Sequence, residues 1–276
     1  MTLHQIKRQV VATHVGRALL RLRRGWRLWQ VLMGAPEQGG FTLQDHFAKA
    51  MLPHLIDPDA IFMDVGAHIG SVTAAVSRHH NVAKIVAIEA VPDKAAHLRK
   101  SFPRITVFDC AVGDHDGEVL FADDPGAPGC SSLAVHAAHD RASELRRFHV
   151  PLRRIDSLSL DQHQIDVIKM DIEGAELAAL HGAESLIARC RPLILFESGP
   201  HENESDEVDL RALFAWFTDH QYQVLIPSRL PHEGPGLMED GFVESHYYPF
   251  RTLDYFAVPA ERRELFRDRA RAVVGL

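Results

Sequence analysis

Three carboxylates crowd the stretch "IDVIKMDIEGAE", residues 165–176: Asp171, Glu173 and Glu176 fall within six positions behind an apolar run. Like charges packed this closely repel, so something must relieve them: water, helix amides, a cation or a substrate. A carboxylate at the end of a strand can take the proton of a hydroxyl, a step worth about 10² to 10⁴ in rate for a well-placed base. Asp171 and Glu173 are the candidates for that chemistry. Glu197, which ends the run "LFES", is their nearest expected neighbour, with His201 four residues beyond. A carboxylate in the first turn of a helix instead gains about 0.3 to 1 kcal/mol from the helix dipole. That suffices for Glu176 and competes with the chemical role for Glu173. Lys169 alternates in strand phase with Asp171 and is placed to neutralise it. Three acids also suit a hard cation such as Mg²⁺. The 18 histidines, however, show no H-E-x-x-H or other ligand spacing, and no metal is expected. "RHH" and "HAAH" read as surface, with His136 and His139 open to a substrate-side role.

A second constellation lies at "DVGAHIG", Asp64 to Gly70. Gly66 and Gly70 allow a tight turn and close backbone approach to a ligand, and the amides of a following helix favour an anionic group. His68 stands where the second glycine of G-x-G-x-x-G would be, which counts against a dinucleotide pyrophosphate. Glu89 ends the next apolar run 19 residues past Gly70, where a carboxylate can accept from ribose hydroxyls. Together these suit a nucleoside without a pyrophosphate.

The elements that must position these residues alternate between strand and helix. Strands are expected at 60–66, 83–90, 105–113, "DVIKMD", 192–198 and "YQVLIPS", and a last one at 252–259 closes the sheet antiparallel. Helices are expected at "SVTAAVSRHH", "PDKAAHLRKSF", "EGAELAALHGAESLIARC" and "LRALFAWFTDH". "GPHENESDEVD" reads as a polar loop, "GEVLF" as a strand leading into a loop, and "VPLRRIDSL" as another short strand. Near-continuous apolar strands separated by helices predict an α/β fold, a doubly wound sheet covered on both faces whose ligands collect at the strands' carboxyl ends. The acidic cluster lies on that edge.

The segments "FMDVGAHIGSVT", "IEAVPDKAAHLR", "AVGDHDGEVLF", "CSSL", "VPLRRIDSL", "IDVIKMDIEGAELAALHGAESL" and "DYFAVP" resemble, in order, the FkbM-type family of class I S-adenosylmethionine-dependent methyltransferases. The likeness is strong over 60–200 and weak at 250–259. "KMDIEGAE" is its most specific element. It implies a Rossmann-like seven-stranded sheet, S-adenosyl-L-methionine as cofactor, and a hydroxyl acceptor on a sugar, glycolipid or small natural product. It also implies that Asp64, Gly66, Ala67, His68 and Gly70 surround the methionine half of the cofactor and that Glu89 takes the ribose. Asp109 and Ala111 fall where the adenine edge is read. Relatives usually carry Asn at the position of His68. Asp64 can equally brace the turn, and Asp109 can equally be a solvated strand end. Two other classes stay open: a nicotinamide-dependent oxidoreductase on the same kind of sheet, and a non-catalytic nucleoside-binding module.

Bulk properties bound the rest. With 276 residues, 46% hydrophobic and 24% charged, one large domain is expected over 51–276, with a helical arm over 1–50. Residues 1–36 carry seven basic side chains and no acid; with −7 overall, the remainder carries −14. Apolar residues from Ile6 to Trp29 recur at helical spacing. Such a basic amphipathic arm suits packing on the acidic body or a sister subunit, hence a homo-oligomer, or else a peripheral membrane contact. The acidic body disfavours nucleic acid. No run spans a bilayer and no leader pattern is visible, so a cytoplasmic protein is expected. Cys110, Cys130 and Cys190 lack any C-x-x-C and predict neither a disulfide nor a zinc site.

Overall fold

The computed structural model describes residues 36–81, 84–123, 132–133, 146–160, 164–199 and 204–276, with Trp29, Met33 and Gly34. The basic arm is otherwise outside the described residues, as are Cys130, His136, His139 and His201.

Seven strands form the main sheet: β1 (Ile61–Val65), β2 (Ile85–Ile88), β3 (Thr106–Phe108), β8 (Ile165–Met170), β9 (Leu193–Glu197), β10 (Tyr222–Leu225) and β11 (Asp254–Pro259). Their order is β10-β11-β9-β8-β1-β2-β3. All neighbours pair parallel except β11, which runs antiparallel to both β9 and β10. This is a doubly wound sheet of the seven-stranded kind expected from the sequence, with its antiparallel strand inserted beside β9. The central strands are buried almost throughout, because helices cover both faces. Alternate residues divide between two layers. Met63, Val65, Ile168, Met170, Ile194, Phe196 and Tyr255 pack with α4 (Glu176–His181), α5 (Glu184–Cys190) and α6 (Glu204–Asp219). Phe62, Val167, Leu193, Leu195, Phe256 and Val258 pack with α1 (Gly39–Leu55) and α8 (Arg263–Val274). Helix α1 straddles residue 50, with Ala48, Met51, Leu52 and Leu55 buried in the second layer.

The structure departs from the sequence-based expectations in four places. The single strand expected over 105–113 is broken after Phe108; β4 (Ala111–Val112) joins a second sheet with β5 (Gly117–Asp123), β6 (Ser132–Leu133) and β7 (Arg146–Arg153), in the order β4-β7-β5-β6. An apolar run cannot announce that the chain changes sheets halfway. The helix expected from Glu173 begins only at Glu176 and is interrupted at Gly182, where a Cβ would stand 1.9 Å from the Gly113 carbonyl oxygen. Helix α6 begins at Glu204, inside the polar segment expected to be loop. The long excursion before β11 contains a further short helix, α7 (Glu239–Glu244).

Candidate active site

From β1 the chain runs outward through β2 to β3, and from β8 it runs the other way to β9. The winding reverses between β1 and β8, so their carboxyl ends frame the crevice where open α/β sheets bind ligands. Gly66 follows β1 at φ +76°, and a Cβ there would lie 1.9 Å from the Asp171 carbonyl oxygen, so only glycine fits. Two residues on, His68 also adopts a left-handed backbone, φ 52°. Asn, Asp and His are the side chains enriched there, so His68 is among the few types other than glycine that suit this turn. Helix α2 (Ser71–Val76) starts behind Gly70, φ +83°. A Cβ on Gly70 would strike the side chains of Phe102 and Leu98 at 2.7 and 2.8 Å; this glycine seats α2 against α3 (Pro92–Ser101) and does not line the crevice.

The crevice holds a cavity of about 250 Å³. On the β2 side it is lined by Glu89, Ala90, Lys94, Cys110 and Ala111, beneath β1 by Gly66, Ala67 and His68, and on the β8 side by Lys49, Lys169, Asp171, Ile172 and Glu173. Glu89 is buried. Its Oε2 accepts from the His68 amide (2.7 Å) and its Oε1 from the Val91 amide (2.9 Å). Burial raises its carboxyl above the ordinary range, and these two amides work against the rise. Each oxygen keeps a second lone pair for a ligand hydroxyl.

On the β8 side a buried ammonium organises the acids. Lys169 Nζ meets Asp171 Oδ2 at 2.9 Å, the Gly66 carbonyl at 3.3 Å and Asp64 Oδ1 at 3.9 Å. Burial works against its charge, but Asp171 and Asp64 more than offset that, so it titrates above its ordinary value. Glu173 has φ 56°, with Gly174 at 97° after it. A left-handed glutamate is uncommon, and such strain clusters where a side chain must be aimed. Desolvation at the cavity wall and then the Asp171 charge push its carboxyl up to about 7. Glu176 is buried at 5% exposure, and its Oε1 accepts from the Ile172 amide at 3.1 Å. It therefore closes the loop 172–175 rather than merely facing the helix dipole. Burial holds its carboxyl near 7. Glu197 does not line the cavity. It stands one strand further out, and burial, then Asp171, Asp254 and Glu173 raise its carboxyl to about 8.

The other expected cofactor residues separate into two groups. Gly66, Ala67, His68, Glu89 and Ala111 come together around the cavity. Asp64 lies behind it, fully buried, where its Oδ2 accepts from the Thr73 hydroxyl (2.6 Å) and amide (3.1 Å). It braces the turn from β1 into α2. Asp109 also stands outside the cavity, its carboxylate gripped from both sides by the Arg99 guanidinium, with one contact at 2.7 Å. The neighbouring Cys110 and Ala111 line the cavity in its place. Burial pushes the Cys110 thiol up to about 11, so it is a neutral wall. Sequence reasoning missed Lys49 and Asp254. Both lie far along the chain from the acidic motif, and only the register of β11 and the path of α1 bring them near it.

The Methyltransferase FkbM domain matches residues 64–224. The chain is 26% identical over 171 residues to 2-O-methyltransferase NoeI of Sinorhizobium fredii NGR234, covering 56% of this chain and 70% of that protein. It is 25% identical over 179 residues to the AMB antimetabolite synthetase AmbE of Pseudomonas aeruginosa PAO1, covering 51% of this chain but 8% of that much longer protein. A methyltransferase FkbM from Methylobacillus flagellatus KT is a similar solved structure, with 22% identity, 72% of this chain and 43% of that chain covered, and a TM-score of 0.43. The matched span exceeds half of the chain and contains the glycine turn, Glu89 and the whole acidic motif: the protein belongs to the FkbM methyltransferase family, and its cofactor is S-adenosyl-L-methionine.

Proposed function

We propose that the protein methylates a hydroxyl oxygen on a sugar, glycolipid or small natural product. The observation that carries this reading is a single cavity that joins a carboxylate suited to a ribose, Glu89, to the carboxylates of Asp171 and Glu173 across the switch point. The residues present fit the cofactor: Gly66 lets the turn after β1 close against the Asp171 carbonyl at the cavity wall, and Glu89 keeps free lone pairs while its backbone partners hold it still. Gly66, Ala67 and His68 would hold the methionine half, Glu89 the ribose, and Cys110 and Ala111 the adenine. S-adenosylmethionine supplies an already activated methyl group, so alignment is most of the protein's task, worth up to about 7 to 11 kcal/mol when ideal. Lys169 fixes Asp171 at the cavity edge. Asp171 orients the acceptor hydroxyl, and Glu173, near 7, receives its proton. Glu197 tunes this pair from behind. NoeI, a 2-O-methyltransferase by name, supports oxygen as the accepting atom. The basic arm is read as packing on the acidic body or a sister subunit, in a cytoplasmic protein that binds no nucleic acid.

The test is transfer of label from methyl-labelled S-adenosylmethionine to a panel of sugars, glycolipids and hydroxylated small products. Methyl ether formation that falls at least about tenfold in Asp171→Asn and Glu173→Gln, with cofactor affinity kept, is the expected result. Label recovered on nitrogen or carbon would overturn the oxygen assignment.

A further inference from the structure

The exposed apolar side chains of this protein gather on one face. Val208 on α6, Met238 at the start of α7, and Tyr247 and Tyr248 in the loop after α7 are 68%, 75%, 53% and 59% exposed. Hydrogen bonds tie these places together. Tyr247 donates its hydroxyl to Glu207 at 3.0 Å. Arg211, one turn further along α6, donates to Glu207 at 2.9 Å, to Asp240 at 3.0 Å and to Glu239, which links α6 to the first turn of α7. Tyr248 carries Phe250 edge-on at 5.8 Å and donates its hydroxyl to Glu37 at 2.6 Å. Single exposed apolar residues are ordinary, but a group of them rimmed by polar side chains marks a surface that something covers.

This face is stiff and acidic. Beneath the loop, the Ser245 hydroxyl meets the Tyr255 hydroxyl at 2.8 Å, His246 Nε2 meets the Ser198 hydroxyl at 2.9 Å, and the Ser198 amide donates to the Leu253 carbonyl at 2.8 Å. Around the exposed rings stand Glu37, Glu207, Glu239, Asp240 and Glu244; Arg211 and Arg251 are set against them, the latter donating to Glu244 at 2.7 Å. Carboxylates outnumber guanidinium groups, so the rim is negative. It would be repelled by an anionic membrane, whereas an apolar segment with a basic flank complements it.

Such a segment ends where this face begins. Glu37, which accepts from Tyr248, is the first residue after the basic arm 1–36. Within the arm, Leu19, Leu22, Trp26 and Trp29 recur at helical spacing among Arg17, Arg21, Arg23, Arg24 and Arg27, with no acid. Trp29 and Met33, four positions apart and just ahead of Glu37, are themselves exposed. A tethered segment meets its site at an effective concentration of about millimolar, so weak contacts hold it.

We infer that the end of the arm, residues 19–33, docks on this face of its own chain: Trp26, Trp29 and Met33 cover Val208, Met238 and the two tyrosines, and Arg23, Arg24 and Arg27 meet the acidic rim. This narrows the reading of the arm given above from the acidic body at large to one face of it, and it does not depend on the methyl acceptor. The Ser198–Leu253 bond sets that face beside the carboxyl end of β9. The arm is thereby placed on the crevice side of the sheet.

The experiment is hydrogen–deuterium exchange of the full chain, read by mass spectrometry at two protein concentrations. Two full-chain variants accompany it, Arg23→Glu/Arg24→Glu/Arg27→Glu and Tyr247→Ser/Tyr248→Ser. In the charge-reversed variant, exchange over 239–253 is expected to quicken by roughly three- to thirtyfold, the scale of releasing a weakly held local contact. In the tyrosine variant the amides of 19–33 should quicken by a similar factor, which reads the same contact from its other side. Both tyrosines are exposed, so their replacement leaves the core intact. Added salt should act on the unmodified protein in the same direction, because it screens rim charges. Exchange unchanged in both variants would overturn the inference. So would protection that grows with protein concentration alongside a doubled mass in light scattering, which would give the face to a sister copy, or protection of the arm that requires phosphatidylserine vesicles. None of these results touches the methyl-transfer reading, which the labelled-donor assay tests separately.

Discussion

Glu176→Gln should stabilise this protein, and only at alkaline pH. The glutamate is buried, and burial lifts its carboxyl from the ordinary 4.5 to about 7. The sign follows from linkage: a group whose folded pKa is raised binds its proton more tightly in the native state. The stability it lends is therefore complete below about 4.5 and is lost as pH climbs through 7. Each pH unit of separation is worth about 1.4 kcal/mol, so the charged form costs about 3 kcal/mol at pH 8.5 and under about 1 at pH 5. Glutamine keeps the volume and the oxygen that accepts from the Ile172 amide, yet never ionises. Thermal unfolding of both proteins from pH 5 to 9 should show the variant gaining about 6 to 12 °C at pH 8.5, at 2 to 4 °C per kcal/mol for a domain of this size, and little at pH 5. A gain independent of pH, or a loss of stability at pH 8.5, would refute the argument that burial of the charge dominates at this position.

Other outcomes follow from the same geometry. Gly66→Ala should lose at least about 3 kcal/mol of stability or abolish cofactor binding, since its Cβ would sit 1.9 Å from a backbone oxygen at φ +76°; a melting curve and calorimetry separate the two. Glu89→Ala should weaken S-adenosylmethionine binding by about 1.5 to 3 kcal/mol, the value of hydrogen bonds to a charged group, and unchanged affinity would remove the ribose site. Lys169→Met strips the counter-ion from buried Asp64 and from Asp171, so a loss of about 3 to 5 kcal/mol is expected in chemical denaturation. Deleting residues 1–36 should lower the melting temperature or alter the oligomeric mass without affecting liposome binding, and salt-sensitive liposome binding that disappears on deletion would favour the membrane reading.

The wall of the cavity along β1 and β2 was legible because its requirements are local. A glycine that must pass within reach of a carbonyl, and a carboxylate at the end of the next strand, leave a fixed spacing, and Gly66 and Glu89 stand where that spacing puts them. Lys169 and Asp171 were legible for the same reason, two residues apart on one strand, and their 2.9 Å contact follows from the period of two. Asp109 was left between two readings because its partner, Arg99, sits on the preceding helix, and nothing in "ITVFDCAVG" signals that the chain leaves the sheet after Phe108. Glu176 looked like any first-turn acid; that its carboxylate folds back under the loop depends on the left-handed turn at Glu173 and Gly174, which no propensity dictates.

The acidic side of the cavity obeys a different logic. Residues 64–224 carry the glycine turn, Glu89 and the acidic motif, yet two of the groups near the acids, Lys49 and Asp254, come from the flanks on either side. For Lys49 to matter, α1 must be held rigidly, and it is held at three points. Gln44 and Ser228 exchange two hydrogen bonds, at 2.7 and 2.8 Å. Arg269 donates to the Leu55 carbonyl at 2.9 Å and pairs with Asp57 at 2.6 Å. Between these, Met51, Leu52 and Leu55 are buried in the layer they share with β11 and α8. The fixed helix sets where the largely exposed Lys49 meets Asp45 at the rim of the cavity. The chain outside residues 64–224 is thus no passive extension: its packing brings Lys49 to the cavity wall beside the acids. Loosening α1 by Gln44→Ala, which removes both hydrogen bonds to Ser228, should therefore lower the melting temperature while calorimetry shows S-adenosylmethionine affinity nearly unchanged, and an unchanged melting temperature would refute the anchoring role.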